Sequence, residues 1–595
     1  MARSRRSCSR PSSDELLLRL LAWTLALGVL LLDVACEPGK PAPGSGGLEP
    51  TGSATPSRGK PPATKAVTYE DRARELGISF RHTDGSSDKY FILETLASGV
   101  ALFDYNGDDR LDIYFPNGRM LPPGATAAGT VVGATPSNAL YRQQADGTFV
   151  DVTASAKVPG TQHGLGANVG DYDADGDLDL YVTQFGPNVL YQNQGDGTFV
   201  DVTAQAKVGD KGFSAGGVFF DYDGDGDLDL YVTNYCLVNL ETDQPCKHLT
   251  VYGYCSPENY TAEHDVLYRN EGDGTFADVS EASGIRNVLP VGRGMGVVAT
   301  DITGDGKIDL FVANDGTENF LFENKGDGTF EDIALISGVA VDLNGDEQGC
   351  MGVDIADYNY DGRPDIIVTN YQKQHNAFYI QEDDGFFSDT ATKSRLGTKS
   401  LPWVGWGTKL FDYDNDGALD VFIAYGHLED NIKDYDESST YLQRNQLLHN
   451  DGKGNFEDVS ERSGPGLEVV LSTRGAAFGD LDNDGDLDIV VCNSRQEPNV
   501  LINQGGNRKN WVGFRLRARK DPFALNATVT VHAGGKRQVQ EVRSGGSYLS
   551  QNDLRAHFGL GDATAVDKVE VRWPDGTVQE LGAVAPNEYH EVQQK

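Results

Sequence analysis

Apolar and polar residues alternate in short runs along most of this chain, with the two-residue period of β-strands. After Gly176, for example, Leu178, Leu180 and Val182 fall on one face of the run, and the residues between them fall on the other. Runs of this kind begin directly after acidic, glycine-containing turns. The pattern therefore predicts many short strands joined by turns, which is an all-β fold.

A second pair of strands follows each such run. Residues 188–202 are typical of a strand, a Gly-Asp-Gly turn and another strand. Related segments begin at Asn138, Asp265, Asn319, Asn376 and Asn445, and carry an aromatic residue at Phe149, Phe276, Phe330, Phe387 and Phe456. The Gly-Asp-Gly segment could also be a metal site, but hairpin turns require Gly and Asp for backbone reasons alone. With a Gly-x-x-x-x-Asp strand in front, each unit contains four short strands, the period of a propeller blade.

An acidic nine-residue motif, Asp-x-Asp-x-Asp-Gly-x-x-Asp, joins the first two strands of each unit. The copies begin at Asp104, Asp171, Asp221, Asp301, Asp357, Asp412 and Asp480. Those from Asp171, Asp221, Asp412 and Asp480 keep the full pattern. The first, fourth and fifth copies are degenerate, with Asp109 in place of Gly, Thr303 at position 3 and Asn359 at position 3, respectively.

These loops carry the pattern of a calcium site. Carboxylates about 4 Å apart repel one another by roughly 4 kcal/mol at an effective dielectric of about 20, so a cation between them is favoured. Calcium accepts the irregular oxygen shell that such a loop offers. An EF-hand is excluded because position 12 is apolar, as at Val182 and Val232, where that motif needs Glu. A metal-free acidic turn remains the alternative, above all for the degenerate copies.

We expect four to seven Ca²⁺ ions, with the side chains at positions 1, 3, 5 and 9 as ligands. The candidate ligands are Asp104, Asn106, Asp108 and Asp112; Asp171, Asp173, Asp175 and Asp179; Asp221, Asp223, Asp225 and Asp229; Asp301, Thr303, Asp305 and Asp309; Asp357, Asn359, Asp361 and Asp365; Asp412, Asp414, Asp416 and Asp420; and Asp480, Asp482, Asp484 and Asp488.

The N-terminal segment is predicted to close the ring of units. The seventh unit continues from Asn499–Asn503 into a different kind of sequence and lacks its own fourth strand, whereas residues 68–71 match the Thr-Phe-x-Asp pattern of a fourth strand. The sequence thus predicts a seven-bladed, integrin-α-like β-propeller over residues 67–509. A small all-β domain is predicted for 510–595, where alternating segments such as 528–531 and 569–573 follow a basic stretch.

The chain has 595 residues and a net charge of −39, which makes nucleic acid and anionic membrane surfaces poor partners. Residues 1–36 have a basic start and a short apolar stretch, as in a signal peptide, and end at Cys36 in a lipobox-like sequence. Residues 37–66, rich in Pro, Gly and Ser, would then be a tether. Three alternatives stay open: lipidation at Cys36, simple secretion and an uncleaved signal anchor. Each exports the protein, and the expected form is a cell-envelope lipoprotein or a secreted protein.

The cysteines fit an exported chain. Cys246 and Cys255 lie in a long insertion of the third unit, where a disulfide would be useful, although Cys236 could compete for either partner. Cys350 and Cys492 lie beside strand segments and are expected to be buried thiols.

The C-terminal phrases 544–553, Arg-Ala-His-Phe-Gly-Leu-Gly at 555–561 and Val-Arg-Trp-Pro-Asp-Gly at 571–576 resemble an ASPIC/UnbV domain. The acidic repeats resemble FG-GAP/VCBS repeats, as in integrin α-subunit propellers. Together they are similar to the cartilage acidic protein family. That resemblance implies an extracellular calcium-binding propeller, without a settled activity.

Two functions are compatible with these features. The first is an exported, monomeric calcium-binding propeller that acts as a binding or adhesion module for a glycan, protein or matrix ligand. The alternative is a calcium-dependent propeller enzyme, similar to a lyase or dehydratase, with its site in the central channel. Residues expected near one end of that channel are His163, Arg293, Cys350, Trp406 and Arg474. A channel filled by apolar side chains would favour the binding module, and a polar cluster with perturbed pKa values would favour the enzyme.

Overall fold

Seven antiparallel sheets of four strands each make up the first and larger part of the fold. The computed structural model describes residues 66–86, 89–119, 137–160, 162–382 and 385–595. The predicted leader, including Cys36, and the predicted tether up to residue 65 lie outside the described residues. Each four-stranded sheet before residue 510 is called a blade here and is numbered in the order of its acidic loop.

The strands of each blade, from the first to the fourth, are as follows. Blade 1 contains Ala101–Phe103, Asp112–Phe115, Ala139–Gln143 and Phe149–Asp151; blade 2, His163–Gly170, Asp179–Phe185, Val189–Asn193 and Phe199–Asp201; blade 3, Ser214–Phe220, Asp229–Asn234, Val266–Asn270 and Phe276–Asp278; blade 4, Gly294–Thr300, Asp309–Asn314, Phe320–Asn324 and Phe330–Asp332; blade 5, Cys350–Ala356, Asp365–Asn370, Ala377–Gln381 and Phe387–Asp389; blade 6, Gly405–Phe411, Asp420–Tyr425, Gln446–Asn450 and Phe456–Asp458; blade 7, Thr473–Gly479, Asp488–Asn493, Asn499–Gln504 and Thr68–Asp71.

The blades form a closed ring around their first strands. The first strand of each blade contacts the first strand of the next, and that of blade 7 contacts that of blade 1. Thr68–Asp71 pairs antiparallel with Asn499–Gln504, with Tyr69 opposite Asn503. The prediction that the N-terminal strand completes the last blade is therefore confirmed.

A glycine five residues before each acidic loop lets neighbouring first strands approach closely. A Cβ on Gly352 would lie 2.1 Å from the carbonyl oxygen of Trp406, and one on Gly475 would lie 2.4 Å from the Cα of Gly99. The equivalent residues in the other blades are Gly166, Gly216, Gly296 and Gly407. No larger side chain fits at such distances, so this spacing of glycines is a packing requirement of the ring.

Short helical turns and two insertions complete the ring. The four α-helices are Leu93–Leu96, Thr153–Ala156, Thr203–Ala206 and Ala334–Ser337, and the 3₁₀ turns are Pro257–Asn259, Gly397–Lys399, Ile432–Asp434, Ser460–Arg462, Pro465–Leu467 and Gly506–Arg508. Two-stranded ribbons join Cys246–His248 to Val251–Gly253 and Gln443–Arg444 to Val470–Leu471. Among the described residues, no helix has the length and apolar composition needed to cross a membrane.

The C-terminal domain is a pair of small sheets, which agrees with the predicted all-β domain. Asn510–Arg517 is the middle strand of one sheet, between Ala556–Gly561 and Tyr589–Gln593. The second sheet has the order Lys536–Glu541, Thr528–Ala533, Val566–Arg572, Val578–Val584. Buried Val529, Val569 and Trp573 contribute to its core, which continues into blades 2 and 3.

Candidate metal loops and the central channel

The intact acidic loops are held in shape by backbone hydrogen bonds to their first carboxylate. In blade 2, Asp171 accepts bonds from the amides of Asp175 at 3.1 Å and Gly176 at 2.9 Å. Gly176 has a φ of 99°, in the left-handed region that favours glycine. Position 6 of the motif is therefore glycine because of backbone geometry. The side chains at positions 3 and 5 remain available to bind a metal ion.

The carboxylate at position 9 has a second role that the sequence did not suggest. Asp179 is fully buried and accepts hydrogen bonds from the amides of Tyr172 at 3.1 Å and Asn193 at 2.8 Å. It thereby ties the loop to the third strand of its own blade. The same bond to the third strand recurs in every blade, for example from Asn450 to Asp420 at 2.7 Å.

The four loops with the full pattern are also the four in which the structure brings candidate ligand atoms together. Within each group, one oxygen or nitrogen per residue lies within 4.8 Å of the others. The groups are Asp171, Asp173 and Asp179; Asp221, Asp223 and Asp225; Asp412, Asp414 and Asp416; Asp480, Asp482 and Asp488; and, sharing a loop with the third, Asp414, Asp420 and His449. Carboxylate oxygens at this spacing suit Ca²⁺, which takes six to eight oxygen ligands.

Among the described residues, the degenerate loops of blades 1, 4 and 5 form no such group of carboxylate, imidazole or thiol ligands, and their position 3 is Asn106, Thr303 or Asn359. Each instead carries a basic residue at position 7, and that residue pairs with the aspartate at position 5. Arg363 lies 2.6 Å from Asp361, and the other two pairs are Arg110 with Asp108 and Lys307 with Asp305. An internal cation therefore stands beside the carboxylate that would otherwise bind metal. The presence of a basic residue at position 7 is the sequence signal that separates these loops from the intact ones.

Burial disfavours the charged form of the aspartates in the intact loops. Burial, with a smaller effect of neighbouring carboxylates, raises the pKa of Asp171 and of Asp480 to about 7 and that of Asp221 to about 6. The pKa of Asp179 and that of Asp488 also lie well above the usual range for the same reason. Near neutral pH these loops therefore need either protons or a cation.

Basic residues of the C-terminal domain and its connecting segment lie against several of the loops. The ammonium of Lys509 is 3.2 Å from Asp414 in blade 6, and Arg555 donates to the carbonyl of Asp480 at 2.7 Å in blade 7. Arg515 pairs with Asp109 in blade 1, and Lys520 donates to the carbonyl of Asp225 in blade 3. The basic stretch noted in the sequence thus faces the acidic loops.

Residues 544–552 of the C-terminal domain fill the central channel. Ser547 exchanges backbone hydrogen bonds with Val353 of blade 5 at 2.8 and 2.9 Å, and Gln551 donates to Val100 of blade 1 at 3.0 Å. Tyr548 is fully buried, and its ring lies 4.9 Å from that of Trp406. We call residues 544–552 the channel plug. It closes the channel, beside the glycines of the first strands, through backbone hydrogen bonds and the buried side chains of Tyr548 and Leu549.

Six segments match the family model described as FG-GAP-like repeat: 130–182, 171–232, 254–312, 301–368, 357–423 and 430–491. Together they cover more than half of the chain. The chain belongs to the FG-GAP-like repeat family. Residues 517–595 match the family model described as ASPIC and UnbV, so both resemblances noted in the sequence are confirmed.

Relatives of this FG-GAP protein share part of its length. Cartilage acidic protein 1 of Xenopus tropicalis is 33% identical over 295 residues, which are 48% of this chain and 42% of that protein. The Homo sapiens protein of the same name is 32% identical over 308 residues, 50% of this chain and 43% of that protein. The chain therefore spans less than half the length of these curated relatives.

Solved structures with a similar arrangement are more distant. A lectin from Agrocybe aegerita that recognises non-reducing terminal N-acetylglucosamine has a TM-score of 0.34 and 17% identity, over 61% of this chain and 79% of that one. The Dos1 propeller has a TM-score of 0.32 and 10% identity, over 71% and 94%.

The residues expected at one end of the channel are mostly structural in this FG-GAP propeller. Arg474 donates to the carbonyls of Thr95 at 3.0 Å and Gly426 at 3.2 Å, and stacks 4.1 Å above the ring of Trp406. Arg293 donates to the carbonyl of Gly316 at 3.2 Å. Cys350 is buried, and burial raises the pKa of its thiol to about 12, which is unsuited to a nucleophile.

Two buried histidines near the same end of the channel have pKa values well below the ordinary value for histidine. Burial lowers the pKa of His82 to about 3 and that of His163 to about 4, so both are neutral at physiological pH. The backbone amide of Arg119 donates to Nδ1 of His163 at 3.1 Å, which places the proton on Nε2. These shifts come from burial inside the packed end of the channel.

The cysteines of the blade 3 insertion are joined. Cys246 and Cys255 form a disulfide across the ribbon of that insertion. Cys236, Cys350 and Cys492 are free and buried.

Proposed function

We propose that this protein is an exported calcium-binding propeller that acts as a binding module for an extracellular glycan or protein. The clustering of carboxylates in the loops of blades 2, 3, 6 and 7 carries the calcium part of the proposal. Buried carboxylates with raised pKa values gain most from a divalent cation. We propose four ions per chain, because the other three loops hold an internal basic residue.

The channel plug favours a binding module over a channel enzyme. An active site in a propeller channel needs an open cavity with polar groups free to meet substrate. Here Tyr548 and Leu549 pack against the first strands, and Leu549 accepts a hydrogen bond from Ala167 at 3.3 Å. Arg474 and Arg293, which lie beyond the plug, donate to backbone carbonyls. We therefore do not propose catalysis in the channel.

Calcium titration by calorimetry, with one substitution in each kind of loop, tests the proposal. Asp173→Asn removes a charge from the blade 2 cluster and should reduce the stoichiometry from four ions to three. Asp305→Asn is the matched control, because Lys307 already neutralises Asp305, and it should leave four ions. Equal stoichiometry in both variants, or loss of an ion only in Asp305→Asn, would contradict the assignment.

The ligand of the module can be sought with an array of glycans and matrix proteins. Calcium-dependent capture by the intact protein supports the binding role. Catalytic turnover of an arrayed glycan, unaffected by substitutions in the plug, would overturn it.

A further inference from the structure

The loop of blade 6 has an imidazole nitrogen beside its carboxylates. His449 lies on the third strand of the blade, Gln446–Asn450, and one ligand atom each of His449, Asp414 and Asp420 lies within 4.8 Å of the others. His449 directly precedes Asn450, whose amide donates to the position-9 carboxylate. The equivalent residues of the other intact blades, 2, 3 and 7, are Gln192, Arg269 and Ile502. Among the four intact loops, a nitrogen ligand at this position is therefore particular to blade 6.

The separation of His449 and Asp420 fits two ligands of one metal ion. Nδ1 of His449 lies 3.2 Å from Oδ1 of Asp420, yet Nδ1 has no hydrogen-bond partner among the described residues. The side chain of Asp420 is fully buried. Ligand atoms bound at roughly 2.0–2.2 Å to a tetrahedral ion lie about 3.4 Å apart. A buried nitrogen beside a buried carboxylate needs either a proton or a metal ion between them.

Asp414 offers a further oxygen to the same ion. Its Oδ2 lies 3.2 Å from the ammonium of Lys509, whereas its Oδ1 is buried and has no hydrogen-bond partner in the described part of the chain. Lys509 therefore occupies one of the two oxygens and leaves the other. The aspartates at positions 1, 3, 5 and 9 of this loop outnumber the single ammonium, so a divalent cation is still favoured beside it.

Blade 2 shows that a side chain at this place on the third strand can reach the loop. There the side-chain amide of Gln192 donates to Oδ2 of Asp173, at position 3, at 2.5 Å. An amide of this kind supplies a hydrogen-bond donor, whereas the neutral imidazole of His449 can supply a nitrogen lone pair. Imidazole nitrogen is a ligand of zinc and similar transition metals, while calcium takes oxygen ligands. The donor set of blade 6 therefore suits a different metal from that of blades 2, 3 and 7.

We propose that the loop of blade 6 binds a transition-metal ion of the zinc type in preference to calcium. Oδ1 of Asp414, a carboxylate oxygen of Asp420 and Nδ1 of His449 are its protein ligands. The inference rests on the metal-binding role proposed for the loops and assigns one of them to another metal. Calcium fills this loop when no such metal is present, so calcium binding and zinc selection can fail separately.

Elemental analysis of the intact protein, equilibrated with millimolar calcium with and without micromolar zinc, tests this site. We expect four calcium ions per chain without zinc, and three calcium ions with one zinc ion when zinc is present. His449→Gln should lose the zinc ion, keep four calcium ions, and weaken zinc binding in calorimetry by about tenfold or more. His532→Gln is the matched control, because His532 pairs with Glu570 at 3.1 Å in the C-terminal domain, and it should bind zinc as the unmodified protein does.

A gain-of-site variant provides a second test. Gln192→His in blade 2 places an imidazole beside Asp173 and Asp179, and we expect a second zinc ion to replace a second calcium ion. Four calcium ions in His449→Gln would show that its loop remains folded, so loss of zinc there reports the missing nitrogen ligand.

Three results would overturn the proposal: no zinc in the unmodified protein, zinc retained by His449→Gln, or zinc bound alongside four calcium ions. The first is the result expected if His449 is a protonated partner of Asp420 and nothing more. Four calcium ions alongside the first or second of these results would leave the proposed function standing, whereas binding of neither metal would contradict the calcium proposal itself.

Discussion

At the scale of single residues, position 7 divides the seven acidic loops into two kinds. Arg110, Lys307 and Arg363 hold the position-5 carboxylate in the degenerate loops, whereas Asp177, Asp227, Ala418 and Asp486 occupy position 7 in the intact ones. A lysine or arginine supplies one positive charge and hydrogen-bond donors without leaving the chain. Loops of the first kind therefore need no metal to balance the aspartate at position 5.

A gain-of-site variant follows from this division. Thr303→Asp with Lys307→Asp restores the full pattern in blade 4, and we expect calorimetry to count one additional calcium ion. Lys307→Met alone removes the internal cation without adding a ligand. It should raise the calcium affinity of this loop less than the double variant does. An unchanged stoichiometry in the double variant would show that position 7 does not control metal binding.

The candidate ligands in the loops could be predicted from the sequence, but the structural role of the aspartate at position 9 could not. The spacing of Asp171, Asp173 and Asp179 indicates a cation loop, because carboxylates so close in sequence repel one another unless a cation lies between them. The hydrogen bond from Asn193 to Asp179 joins residues brought together by strand pairing, so local pattern gave no sign of it.

At the scale of elements, the first and last strands of the propeller hold the ring together. Tyr69 is fully buried in the strand Thr68–Asp71, and its hydroxyl donates to the carbonyl of Leu487 at 3.0 Å. The strand period and the Thr-x-x-Asp match were enough to predict this closure. The channel plug was not predicted as a plug, because residues 544–552 have no periodic pattern and contact strands distant in sequence.

Removing the buried aromatic ring of the closing strand should be costly. We expect Tyr69→Ala to lower the free energy of unfolding by about 3–5 kcal/mol, the usual cost of deleting a buried aromatic side chain. Tyr252→Ala is the matched control, because its side chain is 57% exposed, and should change stability by less than about 0.5 kcal/mol. Urea denaturation measures both, and similar midpoints would contradict a structural role for this strand.

At the scale of the whole molecule, several acidic loops face basic side chains of the C-terminal domain, which also fills the channel. Residues Lys65–Lys595 form one compact unit, so the propeller and C-terminal domain pack together. In blade 6, Lys509 lies beside Asp414, a carboxylate that the proposed calcium ion would also contact. Calcium binding should consequently affect the stability of the entire unit.

The stability of the chelated protein should depend on pH in a defined direction. Burial raises the folded pKa of Asp171, Asp420 and Asp480 to about 7, above the unfolded value of about 4. Such groups favour the folded state fully below the unfolded pKa, and this contribution is lost as pH rises through the folded pKa. We expect the melting temperature in EDTA to fall between about pH 4 and pH 8. A rise over that range would contradict the electrostatic account.

The most direct test of calcium binding is differential scanning calorimetry of the intact protein in EDTA and in millimolar calcium at pH 7.5. With a dissociation constant near 10⁻⁴ M, millimolar calcium stabilises the folded state by roughly 1.4 kcal/mol per site, or about 6 kcal/mol over four independent sites. We predict a clearly higher melting temperature in calcium, with magnesium at the same concentration giving a smaller increase. The same melting curve in EDTA and in calcium would contradict the calcium assignment of these loops.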